Sequence, residues 1–372
     1  MPLSAVQPER YDILLRDKVA AVSALLAPFA PPAPQVFAST PSGYRMRAEF
    51  RVWHDGDALD YVMFRREEPK TPVPIDSFPV AAGSIQALMP VLREYLRGEP
   101  LLRRKLFQVE FMATLHGELL LTLVYHRPLQ EDWEAAAQAL RAALAPDFGD
   151  IALVGRSRRQ KRVLGRDWIS EELPIEGRQY RYRQYEQSFT QPNAAVNIHM
   201  IEWACARAAD IRGGDLLELY CGNGNFTLPL SHHFDHVIAT ELSKRSAQAA
   251  RENLADNGIG NVQLVRLSAE EVTQAMHGER EFRRLAALPQ PLRDYALDTL
   301  FVDPPRAGLD EDTLRMAAAF EHILYISCNP VTLAQNLEHL DASHRVSSFA
   351  LFDQFPYTEH MECGVLLQRR AN

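Results

Sequence analysis

Apolar and polar positions alternate in two different rhythms along this 372-residue chain. From Asp215 onward, short apolar runs rich in β-branched residues are separated by stretches with helical spacing. "DLLELY" (215–220), "HVIATEL" (236–242), "VQLVRL" (262–267), "LDTLFVD" (297–303), "HILYISC" (322–328) and "VSSFALF" (346–352) predict strands. "MECGVLLQ" (361–368) predicts a strand that closes the sheet edge. Between them, 244–257, 268–276, 311–320 and 330–340 predict helices. Such alternation makes a doubly wound, mostly parallel α/β sheet of the Rossmann-like kind.

The first half has another rhythm. "YRMRAEFRVW" (44–53), "LDYVMFRR" (59–66), "LFQVEFMATL" (106–115) and "ELLLTLVYH" (118–126) predict antiparallel strands, several with alternating faces. Helical spacing runs through 9–26, 84–97 and 131–144. This grouping predicts an α+β domain over 1–185, followed by the α/β domain over 186–372. "FAPPAPQVF" is read as a stiff connector.

Composition narrows the class. With 47% hydrophobic and 24% charged residues, the chain has the make-up of a soluble globular protein. Cys205, Cys221, Cys328 and Cys363 are scattered without a C-x-x-C pair, which argues against a zinc site, an iron–sulfur cluster or a disulfide framework. The start has no signal pattern, and the apolar run 19–29 is too short for a bilayer. A cytoplasmic protein without membrane contact is expected. The net charge of −8 is uneven: residues 1–185 hold 25 basic against 23 acidic side chains, which leaves −10 for 186–372. Counter-ion release depends on the local surface, so the first half remains free to hold a polyanion.

Three predicted strand ends carry ligand-type residues. "DLLELY" feeds "CGNGNF", where Gly222 and Gly224 permit a tight turn and close backbone approach. Thr227 stands where a G-x-G-x-x-G loop has its third glycine, so the loop alone is a weak signal. Glu241 ends the next strand at the spacing of an acid that binds a ribose diol. Asp303 precedes two prolines that fix an extended exit and aim it at the sheet edge. Together these ends describe an adenosine-bearing cofactor. S-adenosylmethionine suits the acidic half and the missing glycine better than NAD.

"ILYISCNPV" (323–331) adds a thiol at the same edge. A cysteine at a strand end is ordinarily a small core residue. Here an Asn-Pro turn and a helix follow, and a helix N-terminus lowers a thiol pKa. A thiolate beside a methyl donor has a defined use. C5 of a pyrimidine accepts a methyl group once a nucleophile has added at C6, and a base must then remove the C5 proton. Glu362, in "EHMECG", is the candidate base.

The segments "SFTQPNAAVN", "LLELYCGNGNF", "FVDPPRAGLD", "ILYISCNP" and "DQFPYTEHMECGVLL" resemble the motifs of the RNA uracil-5-methyltransferase family. The likeness continues through "YRMRAEFRVWHDGD", "DSFP" and "RRKLFQVEF" and is closest to the bacterial tRNA branch. No cysteine precedes Cys205, whereas the ribosomal-RNA members carry an N-terminal cysteine cluster. The resemblance implies an S-adenosylmethionine-dependent enzyme that makes 5-methyluridine at position 54 of the tRNA T-loop, without metal. Transfer-messenger RNA, with a T-loop-like uridine, is a second candidate substrate. It further implies Cys328 as nucleophile, Glu362 as base, and Gln191, Tyr220, Gly222, Asn225, Glu241 and Asp303 at the cofactor. Cys221 and Cys363 match no catalytic position.

For the RNA, "RSRRQKRVLGR" (156–166) supplies six basic side chains and no acid. Arg45, Arg47 and Arg51 alternate with Met46, Phe50 and Val52 and are expected on one strand face. Phe107 beside Arg103–Lys105 is a candidate to stack on a loop base, and Arg306 to meet a phosphate. A uridine inside a folded T-loop must flip out to be methylated. Four rivals stay open: an amino-methyltransferase, whose Asp/Asn-Pro-Pro motif continues with an aromatic where this chain has Arg306; an RNA-binding or RNA-folding protein that methylates incidentally; a dehydrogenase; and a 5-methyluridine enzyme acting on ribosomal RNA.

Overall fold

The computed structural model describes residues 6–371 except 57, 66, 67 and 212. The chain divides into two compact units, and the division is not contiguous. The first is chiefly Thr40–Glu172 and Arg183–Ala194; the second is Glu9–Ser39, Leu173–Tyr182 and Ala195–Asn372. The single cut expected near residue 185 therefore gives way to a chain that crosses several times. The reason lies at the N-terminus. Helix α1 (Tyr11–Leu26) and the short strand β1 (Gln35–Phe37) belong to the second unit, because β1 pairs in parallel with a strand three hundred residues away (Gln35 with Ala350). The proline-rich stretch read as a connector thus ends in a sheet strand.

The first unit contains β2 (Arg47–Asp55), β3 (Ala58–Phe64), β4 (Pro72–Pro74), helices α2 (Gly83–Gly98) and α3 (Pro100–Arg103), β5 (Leu106–Ala113), β6 (Leu119–Tyr125), α4 (Glu131–Phe148), β7 (Ala152–Ser157) and β8 (Gln160–Leu164). Arg66, in the predicted strand 59–66, lies outside the described residues. The sheet order is β4-β3-β2-β5-β6-β7-β8. Every pair is antiparallel except β6 with β7, which the α4 crossover makes parallel. The expected antiparallel sheet is accordingly mixed. Alternating burial along β2 places Ala48, Phe50 and Val52 inside, with Glu49, Arg51 and Trp53 outside. Trp133 of α4 lies against Gly155 of β7, where a Cβ would come within 2.8 Å of three ring carbons.

A two-stranded ribbon, β9 (Trp168–Ile175) and β10 (Arg178–Tyr185), follows. The second unit continues with α5 (Ala194–Asp210), β11 (Asp215–Leu219), α6 (Thr227–Leu230), β12 (Val237–Thr240), α7 (Lys244–Asp256), β13 (Val262–Val265), α8 (Ala269–Met276), β14 (Leu297–Val302), α9 (Glu311–Ala317), β15 (His322–Ser327), α10 (Pro330–Leu340), β16 (His344–Phe352) and β17 (Glu362–Arg369). Its eight strands run in the order β1-β16-β17-β15-β14-β11-β12-β13. The predicted strands all form. β17 does not close an edge, however: it runs antiparallel between β15 and β16. Its apolar stretch is buried on both faces, which is why it reads as a continuous hydrophobic run. No helix among the described residues is long and apolar enough to cross a membrane.

Candidate active site

Strand register assembles the site in the second unit. Glu218 pairs with Ala239 of β12 and with Phe301 of β14. Two residues further along each strand, Glu241, Tyr220 and Asp303 stand in one row across the C-terminal edge of the parallel sheet. Ser327 of β15 pairs with Cys363 of β17. One step beyond, the antiparallel register sets Cys328 against Glu362. Because β17 is reversed, its first residue meets the edge where the parallel strands end.

Local bonds hold the Tyr220–Glu241 end of this row. Tyr220 takes φ +61°, a left-handed conformation rare for a side chain of its size, and Gly222 follows at φ +59°. The Gly222 N–H donates to Glu241 Oε2 (3.0 Å), and the Ser243 N–H to Glu241 Oε1 (2.6 Å). The acid is thereby fixed before any ligand arrives. Asn225 and Asn197 of α5 exchange two amide bonds, at 2.8 and 2.9 Å. Asn253 of α7 donates to the Asn223 carbonyl (2.9 Å), tying the loop to the next helix. Beneath the loop Glu218, 1% exposed, carries an oxygen with no partner among the described residues. Burial, with Asp303 adding, raises its carboxyl to about 8. Burial alone holds Asp303 up at about 7. An acidic, partly unpartnered floor is chemically matched to a cationic sulfonium and ammonium.

At the other end, the turn after β15 is braced to the Asp-Pro-Pro-Arg loop. Asn329 caps α10 and donates from Nδ2 to the Arg306 carbonyl (3.0 Å), which also accepts from Thr332 Oγ1 (3.2 Å). Asn336 accepts from Tyr325 Oη (2.7 Å) and from the Leu309 N–H (2.9 Å). The turn after Cys328 and the Asp303 loop are thereby tied to each other by side-chain hydrogen bonds. Arg306 faces His360 (Nη2 to Nδ1, 3.4 Å).

The helix after Cys328 does not activate the thiol as the sequence suggested. Burial first, then Glu362 and Asp303, push it up to about 11, and Arg306 offsets only part of this. Desolvation and two facing carboxyls outweigh one helix terminus, whose influence is worth at most about 2 kcal/mol. Glu362, 3% exposed with Oε2 unpartnered among the described residues, is likewise pushed well above the usual carboxylate range, by burial first and then by Asp303.

Gln191 belongs to the first unit, where its Oε1 is buried without a partner among the described residues. That unit also carries a three-layer column. The Arg51 guanidinium lies 3.7 Å over the Phe107 ring, which stacks on His126 at 3.9 Å. Phe107 sits where the β5–β6 register slips, between Leu106 and Gln108, and the irregularity takes it out of the core alternation. His126, just past β6, was missed; a histidine after a strand gives no signal by itself. Most of the basic run 156–166 is already neutralised. Arg156 makes two 2.5 Å bonds to Glu186, Lys161 reaches Asp167 (2.6 Å) and Arg166 reaches Glu118 (2.8 Å). Only Arg158 and Arg159, at the β7–β8 turn, lack an acidic partner among the described residues. Arg47 donates to the Ser188 carbonyl, so Arg51 is the basic residue of β2 left for a ligand.

The sequence model of the tRNA (Uracil-5-)-methyltransferase family matches residues 10–370. The chain is 54% identical over 371 residues to the tRNA/tmRNA (uracil-C(5))-methyltransferase of Aromatoleum aromaticum, covering 100% of this chain and 99% of that one. It is 52% identical over 365 residues to the protein of the same name in Vibrio cholerae, with 98% of each covered. Among solved structures it is similar to a Pyrococcus abyssi tRNA (uracil-54, C5)-methyltransferase in complex with S-adenosyl-L-homocysteine. That likeness has a TM-score of 0.73 and 21% identity, over 96% of this chain and 83% of the other.

Proposed function

The chain belongs to the tRNA (uracil-5-)-methyltransferase family, and from that premise we propose that Cys328 and Glu362 methylate C5 of the T-loop uridine at position 54. The enzyme is S-adenosylmethionine-dependent. Transfer-messenger RNA, named with tRNA for its relatives, is a second substrate. The observation that carries the assignment of roles is the β15–β17 register, which sets the only half-buried cysteine opposite a buried carboxyl at the cofactor edge.

Glu241, fixed by two backbone donors, would hold the ribose diol of the cofactor, and the glycine turn at 222–224 would take its adenosyl group. Asp303 and Glu218 would lie toward its cationic end. The cofactor supplies an electrophilic methyl group. Everything else falls to the protein. Cys328 gives its proton to solvent and adds as the thiolate to C6 of the flipped uracil, making C5 nucleophilic; Arg306 is the cation that favours the thiolate. Glu362, ionised, then takes the C5 proton, and the Cys328–C6 bond breaks to regenerate the thiolate and the aromatic base. The Arg51–Phe107–His126 column offers flat faces to unstacked loop bases.

Incubating unmodified tRNA with the protein and S-adenosylmethionine, then mapping the methylated nucleotide by mass spectrometry, tests this reading. One methyl group at C5 of uridine 54 is expected, without added metal. Methylation at another nucleotide, or at another atom of uridine 54, refutes it.

A further inference from the structure

The scattered cysteines give no metal signature in the sequence, but the fold gathers three different donor atoms away from the methylation residues. Glu176 at the tip of the β9–β10 ribbon, Cys205 on α5 and His233 in the turn Ser231–His233 each offer one ligand atom, all within 4.8 Å of one another. All three belong to the second unit. We propose that Glu176, Cys205 and His233 bind one borderline-soft divalent cation of the zinc class, which pins the ribbon tip to α5.

The donor set suits such an ion. Thiolate, imidazole and carboxylate are the ligand types of zinc, and three protein ligands leave a fourth position for water. Tetrahedral zinc, with bonds of about 2.0–2.3 Å, keeps its donors roughly 3.3–3.6 Å apart. His233 Nε2 and Glu176 Oε2 already stand 3.2 Å apart. Closing on the sulfur asks for a shift of about 1 Å, within reach of the exposed, three-torsion Glu176 side chain. The surroundings of Cys205 are also unlike those of an ordinary core thiol. It is fully buried, yet the carboxyls of Glu176 and Glu202 face it. A divalent cation would be met there by a thiolate, because a coordinating thiol is deprotonated. His232, next in sequence, is turned instead to Arg178 and Tyr180. It therefore serves as an internal control.

Cobalt(II) titration of the full-length protein tests the site, read in a Cys328→Ala background so that the half-buried thiol cannot contribute. A thiolate-to-cobalt charge-transfer band with tetrahedral d–d absorption is expected at one cobalt per chain, and zinc should bleach it. Cys205→Ser should remove the band. Glu176→Gln and His233→Gln should each weaken cobalt binding by at least about tenfold, and His232→Ala should leave it unchanged. Zinc should raise the Tm of the parent but not of Cys205→Ser. Absence of the band at stoichiometric cobalt, or its survival in Cys205→Ser, overturns the proposal. If Cys205→Ser does not fold, Glu176→Gln decides the matter, and an undiminished cobalt affinity in it is the overturning result.

Discussion

Replacing Glu362 with glutamine separates the two halves of the proposed reaction. The amide keeps the shape of the side chain at the start of β17 but cannot take the C5 proton. Removing a positioned general base costs about 10²–10⁴ in rate. The structure selects the upper part of that range, because Glu362 is only 3% exposed and solvent has no route to stand in for it. A factor of ~10⁴ corresponds to about 5.4 kcal/mol on the step after methyl transfer. Attack by Cys328 and transfer of the methyl group come before that step and should be little changed. Protein joined covalently to methylated RNA should then accumulate toward one per chain. Single-turnover reactions with labelled methyl donor, resolved by denaturing electrophoresis and followed by mass spectrometry of the Cys328 peptide, measure this. Cys328→Ala should give neither adduct nor turnover while still binding cofactor and tRNA. A 5-fluorouridine substrate should stall the parent in the same way, since fluorine cannot leave as a cation. Product release from Glu362→Gln within tenfold of the parent, or adducts on Cys221 or Cys363, would refute the reasoning.

Other consequences can be measured separately. With the Cys328 thiol raised to about 11, the thiolate fraction at pH 7 is on the order of 10⁻⁴; alkylation of the free protein at Cys328 should climb about tenfold per pH unit from 7 to 10, and a plateau near neutrality would contradict this. Glu218 is held at about 8 in the folded chain, against roughly 4.3 unfolded. Below pH 4 both states keep the proton. Between the two values only the unfolded state gives it up, so stability falls with rising pH, by at most about 5 kcal/mol once pH passes 8. Glu218→Gln should lack this loss, and an equal stability gap between variant and parent in urea at pH 5 and pH 8.5 would count against it. Gly155→Ala drives a methyl group into the Trp133 ring and should cost about 1–3 kcal/mol, read from the urea midpoint. Replacing Arg158 and Arg159 together with glutamine should weaken tRNA binding and reduce its salt slope by at most about two; unchanged affinity at low salt would remove this turn from the RNA surface.

Local sequence alone was enough for the parallel sheet of the second unit, since its strands are runs of β-branched and apolar residues between capped helices. It also marked the strand ends that carry Tyr220, Asp303 and Cys328, because the Gly-x-Gly, Asp-Pro-Pro and Cys-Asn-Pro turns announce themselves within a few residues. What it left open depended on partners far along the chain. β1 joins the second sheet only through β16, and the basic run 156–166 loses most of its free charge to Glu186, Asp167 and Glu118. β17 enters the sheet between two strands instead of at its edge, and that insertion alone brings Glu362 opposite Cys328. The protonation of the thiol was decided the same way. A helix terminus is legible as a local pattern, whereas desolvation and the approach of Glu362 and Asp303 exist only once the sheet is assembled, and they are the larger forces.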